Sequence, residues 1–360
     1  MVDAPDFRSK LFGWHAGHDR PMPWKGVQDP YRIWLSEVIL QQTRVAQGLP
    51  YYQRFVKRFP GVHELAKASD DEVFKLWEGL GYYRRARHML ETARHVAFER
   101  DGRFPDTYEG LLGLKGVGPY SAAAIASFAY GLPHAVVDGN VVRVLARIYG
   151  VNEAAGTSRG KKQFQKLARE LLDPTRPGTF NQAIMDFGAA LCKPKSPDCP
   201  SCPFRTQCKA LREDRIQELP AKSKKPDRKK RYFHYLVLRL EEQVFIRQRR
   251  AADIWQNLYE FPLLEWPHAE LSLSELKAQP EWKAWGWQEM PTLQSISPPR
   301  QQTLSHQIVQ ARFWEFELEE MPQTRPSDAL LIDRKKLPTF AWPKVLDWYL
   351  RDNSLYLKLT

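Results

Sequence analysis

All four cysteines of this 360-residue chain lie between Cys192 and Cys208, spaced Cys192-x6-Cys199-x2-Cys202-x5-Cys208, with Pro194, Pro197, Pro200 and Pro203 between or beside them. A disulfide-built secreted fold distributes its cysteines more widely, and an intracellular compartment keeps them reduced. The clustering therefore predicts a metal-bound loop. Four thiolates hold either a tetrahedral zinc or a [4Fe–4S] cluster, and spacing alone does not fully separate the two. The single Cys199-x2-Cys202 pair, without a second one, fits a paired zinc ribbon poorly, so the cluster is preferred.

Around this loop the chain divides by composition. Its length predicts more than one domain. From Phe7 to about Leu211 the pattern is mostly helical. Asp29 and Pro30 read as N-cap and first-turn residue, and Ile33, Trp34, Val38, Leu40 and Val45 follow at roughly helical spacing. Further helices are expected around Val73–Trp77, Arg85–Phe98, Val141–Tyr149 and Phe164–Leu172. The run "LPAKSKKPDRKKR", residues 219–231, reads as a solvated basic linker. Beyond it "RYFHYLVLRL" and "QVFIRQRR" are β-branched and aromatic, and "QARFWEFELEE" alternates as a half-buried strand does. The expected architecture is an all-α domain over 1–218, the linker, and an α+β domain over 232–360.

Lys plus Arg outnumber Asp plus Glu by 54 to 42, a net charge of +12 that favours a polyanionic partner. The opening "MVDAPDFRSK" lacks an apolar signal core, and no stretch approaches the ~18 continuous apolar residues of a membrane span. A soluble intracellular protein without a membrane partner is expected.

Three short stretches carry candidate chemistry. In "LKGVGPYSAAAIASFAYG" Gly116, Val117 and Gly118 turn the chain tightly, Pro119 suits a first helical position, and small residues continue the helix. In "IWLSEVILQQT" Glu37 sits on an apolar stripe. Lost hydration there raises a carboxyl pKa and makes a general acid. Asp138 instead opens the helix bearing Val141, Val144, Leu145 and Ile148, where amide donors and the helix dipole favour the anion. Taken alone, Glu37 is better explained by a structural hydrogen bond and Asp138 by capping.

The hairpin "LKGVGPYSA", the later "VVDGNVVRV" and the 6-2-5 cysteine spacing together resemble the helix-hairpin-helix DNA glycosylases with an iron–sulfur cluster, the superfamily of endonuclease III and MutY. The resemblance covers nearly the whole first half. It implies a structural [4Fe–4S] cluster on Cys192, Cys199, Cys202 and Cys208, with Lys193, Lys195, Arg205 and Lys209 directed toward DNA phosphates. The backbone amides of Gly116 and Gly118, near a helix N-terminus, would then bind a phosphate. Glu37 would protonate the departing base at adenine N7 and Asp138 would stabilise the positive sugar, with Asn140 beside it. Endonuclease III-like relatives carry a nucleophilic lysine after the hairpin. Here that position is Tyr120, and Val142 follows in "DGNVVRV", so neither forms a Schiff base. Tyr120 is expected to be a hydrogen-bond partner in a water-using, monofunctional enzyme.

"DPYRIWLSEVILQQT" and "LWEGLGYYRRAR" resemble the MutY-type adenine glycosylases in particular. In that family a glutamine of the Gln41–Gln42 pair and Tyr82 enter the base stack, Arg20, Met22 and Trp24 line the adenine pocket, and Gln182 reads the adenine edge. The C-terminal half resembles the MutT-like, Nudix-fold domain that reads 8-oxoguanine. Asn257 stands for a glycine of its "W-x-G-L-[WY]-x-F-P" element, Asn being the commonest substitute where φ is positive. The Mg²⁺-binding Nudix box is missing, so pyrophosphatase activity is not expected. In "TLSHQ", Leu304 replaces the family's phenylalanine while Ser305 and His306 remain. The resemblance thus implies an adenine DNA glycosylase of base excision repair acting on adenine opposite 8-oxoguanine or guanine in duplex DNA, as a monomer at the nucleoid in a bacterial cytoplasm. The rivals are a bifunctional glycosylase/lyase and a catalytically silent DNA-binding scaffold.

Overall fold

The computed structural model describes residues 2–222 and 227–352. Of the basic run, 223–226 lie outside the described residues. The chain forms two compact units, Met1–Lys67 with His88–Lys225, and Ala68–Arg87 with Pro226–Thr360.

The helices in chain order are α1 (Ala4–Ala16), α2 (Pro30–Leu40), α3 (Val45–Arg58), α4 (Val62–Lys67), α5 (Asp70–Trp77), α6 (Arg84–Arg94), α7 (Tyr108–Leu112), α8 (Pro119–Tyr130), α9 (Gly139–Tyr149), α10 (Ser158–Leu171), α11 (Pro177–Ala190) and α12 (Lys209–Arg212). A π-helical turn, His95–Glu99, follows α6. Asp29 caps α2 as expected, its carboxylate accepting from the Tyr31 amide at 2.9 Å. The apolar run does not stay one helix to Val45. It breaks after Leu40, where Gln41 leaves helical geometry at ψ 114° and Gln42 follows at φ +56°, and Val45 opens α3. A left-handed residue cannot continue a right-handed helix, so the break presents both glutamines outside it.

The core of the first unit forms where α11 packs on α9 and α1. Val141, Val144, Leu145 and Ile148 are all buried there, with Phe7, Phe180, Phe187 and Phe204. Each such side chain contributes roughly 1.5–3 kcal/mol. Two arginines of α9, Arg143 and Arg147, are buried in the same region, at 9% and 2% exposure. Burying a guanidinium is tolerable only with its donors satisfied, and its partners are described below.

The second unit is built on one mixed sheet from β1 (Lys229–Leu240), β2 (Gln243–Gln248), β3 (Tyr259–Glu260), β4 (Leu263–Trp266), β5 (Thr292–Ile296), β6 (Arg300–Thr303), β7 (Gln307–Leu318) and β8 (Ala329–Asp333). Its main order is β3-β2-β1-β7-β5, with β4 also on β1, β6 on β7 and β8 on β2. β1 and β7 run parallel from Lys229 opposite Gln307 to Leu240 opposite Leu318. β1 therefore begins inside the basic run, and Arg231 is held there by Asp253 at 2.8 Å and Glu265 at 2.6 Å. The alternation in β7 sends Phe313 to one face, stacked on Tyr349 of the C-terminal helix Lys344–Asp352 at 3.8 Å between centroids. Trp314 and Phe316 join Leu276, Trp282 and Trp285 in a separate cluster on the other. Asn257 adopts φ +71°, the conformation for which a glycine was the expected residue.

Candidate active site

A cleft of about 910 Å³ in the first unit gathers residues from the Asp19–Gln28 loop, α2, the α8–α9 region and α11, together with His15 of α1 and Val45 of α3. Glu37, Tyr120, Asp138, Asn140, Gln182, Arg20, Met22, Trp24, Gln41 and Gln42 all line it. Tyr82, the hairpin glycines, the cysteines and the basic residues Lys193, Lys195, Arg205 and Lys209 lie outside this lining.

Glu37 sits at 7% exposure on the last turn of α2. Burial pushes its pKa up to about 7, a hydrogen bond from the Tyr120 phenol partly offsets this, and the Asp138 charge adds to it. The carboxyl is thus poised to be protonated near neutrality. Asp138 caps α9. Its Oδ1 accepts from the Val141 amide at 2.7 Å and its Oδ2 from the Asn140 side-chain amide at 2.8 Å. Burial raises its pKa as well, whereas sequence reasoning weighed only its donors. Those donors, with the Arg143 charge, act against the rise.

Asn140 is itself oriented. Its Oδ1 accepts from Arg143 Nη2 at 2.9 Å, and the same guanidinium donates to the carbonyls of Gly188 and Cys192, both at 2.7 Å. One turn on, Arg147 donates to the carbonyls of Lys193, Pro194 and Leu219 at 2.8, 3.0 and 3.1 Å, and its Nη1 lies 3.5 Å from Cys192 Sγ. α9 therefore carries the candidate carboxylate at one end and grips the cysteine loop with its next two turns. Gly188 permits the close packing of α11 on Asn140: a Cβ there would lie 2.7 Å from Asn140 Cβ. Arg143, Arg147 and Gly188 were not singled out from the sequence. The available signal was two arginines four residues apart among the apolar positions of one helix. Gly188 carried none, because its neighbour is distant in the chain.

The loop lining the cleft is fixed by a second network. Lys25 Nζ lies 2.7 Å from Asp186 Oδ2 and 2.9 Å from Asp19 Oδ1, and His15 Nε2 lies 3.2 Å from Asp186 Oδ2. Among the described residues His15, Asp19 and Asp186 form the one group of three such ligand atoms mutually within 4.8 Å. The Lys25 ammonium already supplies the positive charge between them.

Among the described residues no three cysteine sulfurs approach one another that closely. Tetrahedral zinc with Zn–S near 2.3 Å would hold its sulfurs roughly 3.8 Å apart. Instead, all four cysteines surround a small cavity walled by Arg147, Phe187 and Leu191. Four thiols lining one cavity are the donor set that a [4Fe–4S] cluster takes. Lys193, Lys195 and Arg205 are exposed on the loop, and Lys209 is half-buried.

In the hairpin between α7 and α8, Gly116 takes φ +75°, and a Cβ would come 2.8 Å from His88 Cβ. Gly118 N-caps α8 in extended conformation, and a Cβ there would meet nothing within 4 Å, so the backbone on that side is open. Gln41 braces the hairpin, its amide 3.3 Å from both the Gly116 carbonyl and Ser121 Oγ. Gln42 is exposed.

Residues 35–173 match the HhH-GPD superfamily base excision DNA repair protein model, and residues 234–351 match the NUDIX domain. An adenine DNA glycosylase of Buchnera aphidicola subsp. Baizongia pistaciae is 34% identical over 262 residues, covering 71% of this chain and 73% of that protein. The chain belongs to the adenine DNA glycosylase family. The Mus musculus member is 41% identical over 236 residues, 63% of this chain and 46% of its own length. The Homo sapiens member is 42% identical over 230 residues, 61% and 42% respectively. The chain thus spans less than half the length of these two relatives. Among solved structures, a thermostable thymine-DNA glycosylase superposes with TM-score 0.54 at 29% identity, over 58% of this chain and 97% of that one. A non-covalent endonuclease III–DNA complex gives 0.52 at 21% identity, over 59% and 99%, and shares the fold.

The other positions suggested by resemblance to the adenine DNA glycosylases lie in the second unit. Tyr82 is 48% exposed on a turn after α5. Leu304, Ser305 and His306 connect β6 to β7, with the Leu304 amide donating to the Gln307 carbonyl at 2.8 Å and Ser305 Oγ 3.1 Å from His306 Nδ1. Among the described residues no helix is long and apolar enough to cross a membrane.

Proposed function

We propose that this chain hydrolyses the N-glycosidic bond of adenine opposite 8-oxoguanine in duplex DNA, as a monofunctional adenine DNA glycosylase of base excision repair. The observation that carries this is the unlike pair in one cleft: Glu37, buried with its pKa near 7, and Asp138, held by Val141 and Asn140. Protonated Glu37 donates to adenine N7, the C1′–N9 bond breaks with its electron pair going to the purine, and the Asp138 carboxylate stabilises the positive sugar. Water then adds at C1′ and gives up a proton to the Glu37 carboxylate, which restores the acid. Tyr120, bonded to Glu37, orients the acid and offers no amine for strand cleavage.

Arg20, Met22, Trp24 and Gln182 form the adenine pocket in this reading. Gln42 serves as the glutamine entering the duplex, since it is exposed at φ +56° while Gln41 is committed to the hairpin. Tyr82 supplies a second, aromatic wedge. Gly116 and Gly118 bind a phosphate on the open side of the hairpin. Cys192, Cys199, Cys202 and Cys208 would hold a [4Fe–4S] cluster, which ties the basic loop into shape and does no redox work in base removal. Ser305 and His306, on the domain assigned to 232–360, read the lesion.

The test is single-turnover adenine release from duplexes that differ only in the base opposite adenine. Release fastest opposite 8-oxoguanine is expected, without borohydride-trapped adduct. A trapped adduct would point to a lyase, and no release to a binding scaffold. Anaerobically purified protein is expected to carry about four irons per chain, by the cluster's composition. Stoichiometric zinc without iron would remove the cluster assignment.

A further inference from the structure

The segment Ala68–Arg87 lies in the first half of the sequence yet packs as part of the C-terminal unit. It carries an unusual turn. Gly79, Gly81 and Tyr82 take φ of +93°, +73° and +50°. A tyrosine in the left-handed region is strained and persists only where its surroundings dictate it. From within the segment, Trp77 Nε1 and Arg85 Nη2 both donate to the Gly81 carbonyl, at 3.1 and 3.2 Å. The Arg85 guanidinium also lies over the rings of Trp77 and Tyr82, at 5.0 and 5.6 Å.

The two residues bracketing the turn, Glu78 and Tyr83, hold one residue of the C-terminal region. Glu78 Oε1 accepts from the Trp342 amide at 3.0 Å, and the Tyr83 hydroxyl donates to the Trp342 carbonyl at 3.3 Å. The same hydroxyl accepts from the Gly79 amide at 3.4 Å. Lys75 adds a bond to the Phe340 carbonyl at 2.9 Å while pairing with Glu78 Oε2 at 2.6 Å. The strap 340–342 is fastened in turn. The Tyr259 amide of β3 donates to the Ala341 carbonyl at 2.9 Å, and the fully buried Trp342 ring donates to the Leu337 carbonyl at 3.0 Å. Asp71 accepts from the Tyr259 hydroxyl at 3.2 Å, and Arg87 pairs with Gln256.

We propose that the C-terminal unit is the mount for the Tyr82 wedge, with Glu78 and Tyr83 as positioning residues that hold the turn against the Trp342 main chain. A β-sheet that reads one strand thereby also sets the aromatic that enters the stack, so the two act on DNA as one body. The inference rests on the reading of Tyr82 as a DNA-inserting residue.

The experiment uses the full chain and a duplex carrying adenine opposite 8-oxoguanine with 2-aminopurine beside the mispair, read by affinity and by the fluorescence rise on unstacking. Tyr82→Ala is expected to weaken binding and suppress the rise. Glu78→Ala is expected to weaken binding roughly three- to tenfold, the scale of a lost hydrogen bond, and to lower the rise. In the Tyr82→Ala background the Glu78 change is expected to add nothing. Glu78→Gln keeps an acceptor for the Trp342 amide and is expected to restore both readouts. Should Glu78→Ala fail to fold, Tyr83→Phe, which deletes one hydroxyl, carries the same comparison. A Glu78 or Tyr83 effect that is absent, or undiminished without Tyr82, overturns the mount while leaving Tyr82 as the wedge. No effect of Tyr82→Ala overturns the wedge and the mount together.

Discussion

Glu37 in its cleft and the Ser305–His306 pair between β6 and β7 stand at opposite extremes of burial. Glu37 is 7% exposed, and Asp138 and Asn140 beside it are bonded to Val141, Arg143 and each other. Ser305 and His306 are exposed, and the hydrogen bond between their side chains is a local one. On the proposed function, chemistry and recognition would demand this difference. A carboxyl becomes an acid near neutrality only when desolvated, whereas a reader of a base edge must leave its donors free to meet a partner. Perturbing the first region should stop the reaction, and perturbing the second should change only what the reaction prefers.

The sharpest break is Glu37→Gln or Asp138→Asn. Each is expected to lower single-turnover adenine release by about 10²–10⁴-fold, with mispair affinity largely kept, because the lost proton or charge matters mainly in the transition state. Wild-type release from either variant would remove that residue's role. Next, Ser305→Ala with His306→Ala is expected to cut the preference for 8-oxoguanine over guanine by roughly ten- to a hundredfold, one base contact being worth about 1–3 kcal/mol. The ratio must be measured at one salt concentration. An unchanged ratio in a folded variant would return the loop to an ordinary surface turn.

A pH series sharpens the same comparison. Since Glu37 is raised from 4.5 to about 7, release is expected to fall about tenfold per unit above pH 7. Between pH 4.5 and 7 the folded state binds the extra proton, so this group's contribution to stability declines as pH rises through that window. Glu37→Gln should flatten the stability trend seen by thermal unfolding, whereas the Ser305/His306 variant should retain it. The smallest expected effect is Gly188→Ala, whose methyl would press on Asn140 at 2.7 Å. Overpacking of this kind costs about 1–3 kcal/mol, read as a lower Tm with slowed release. A variant as stable and as fast as the parent would show that α11 and α9 have room to spare.

Much of this was legible in the chain itself. The cysteine spacing, the glycine hairpin, the Asp138 cap and the alternating strand Gln307–Leu318 are local patterns, and each depends on neighbours a few residues away. Asn257 at φ +71° was readable for the same reason. The stripe from Ile33 to Val45 misled at its end, because nothing local signals that Gln42 turns left-handed. Other features belong to the tertiary structure alone. Arg143 reaches Cys192 and Gly188 from 49 and 45 residues away, and Lys25 finds Asp186 at a separation of 161. The attachment of Ala68–Arg87 to the C-terminal sheet spans a still longer interval, with Glu78 and Trp342 separated by 264 residues. Sequence periodicity records which face of an element is apolar. It does not record which distant backbone carbonyl will satisfy a buried guanidinium, because that pairing is chosen only when packing has brought the two together and excluded water from both.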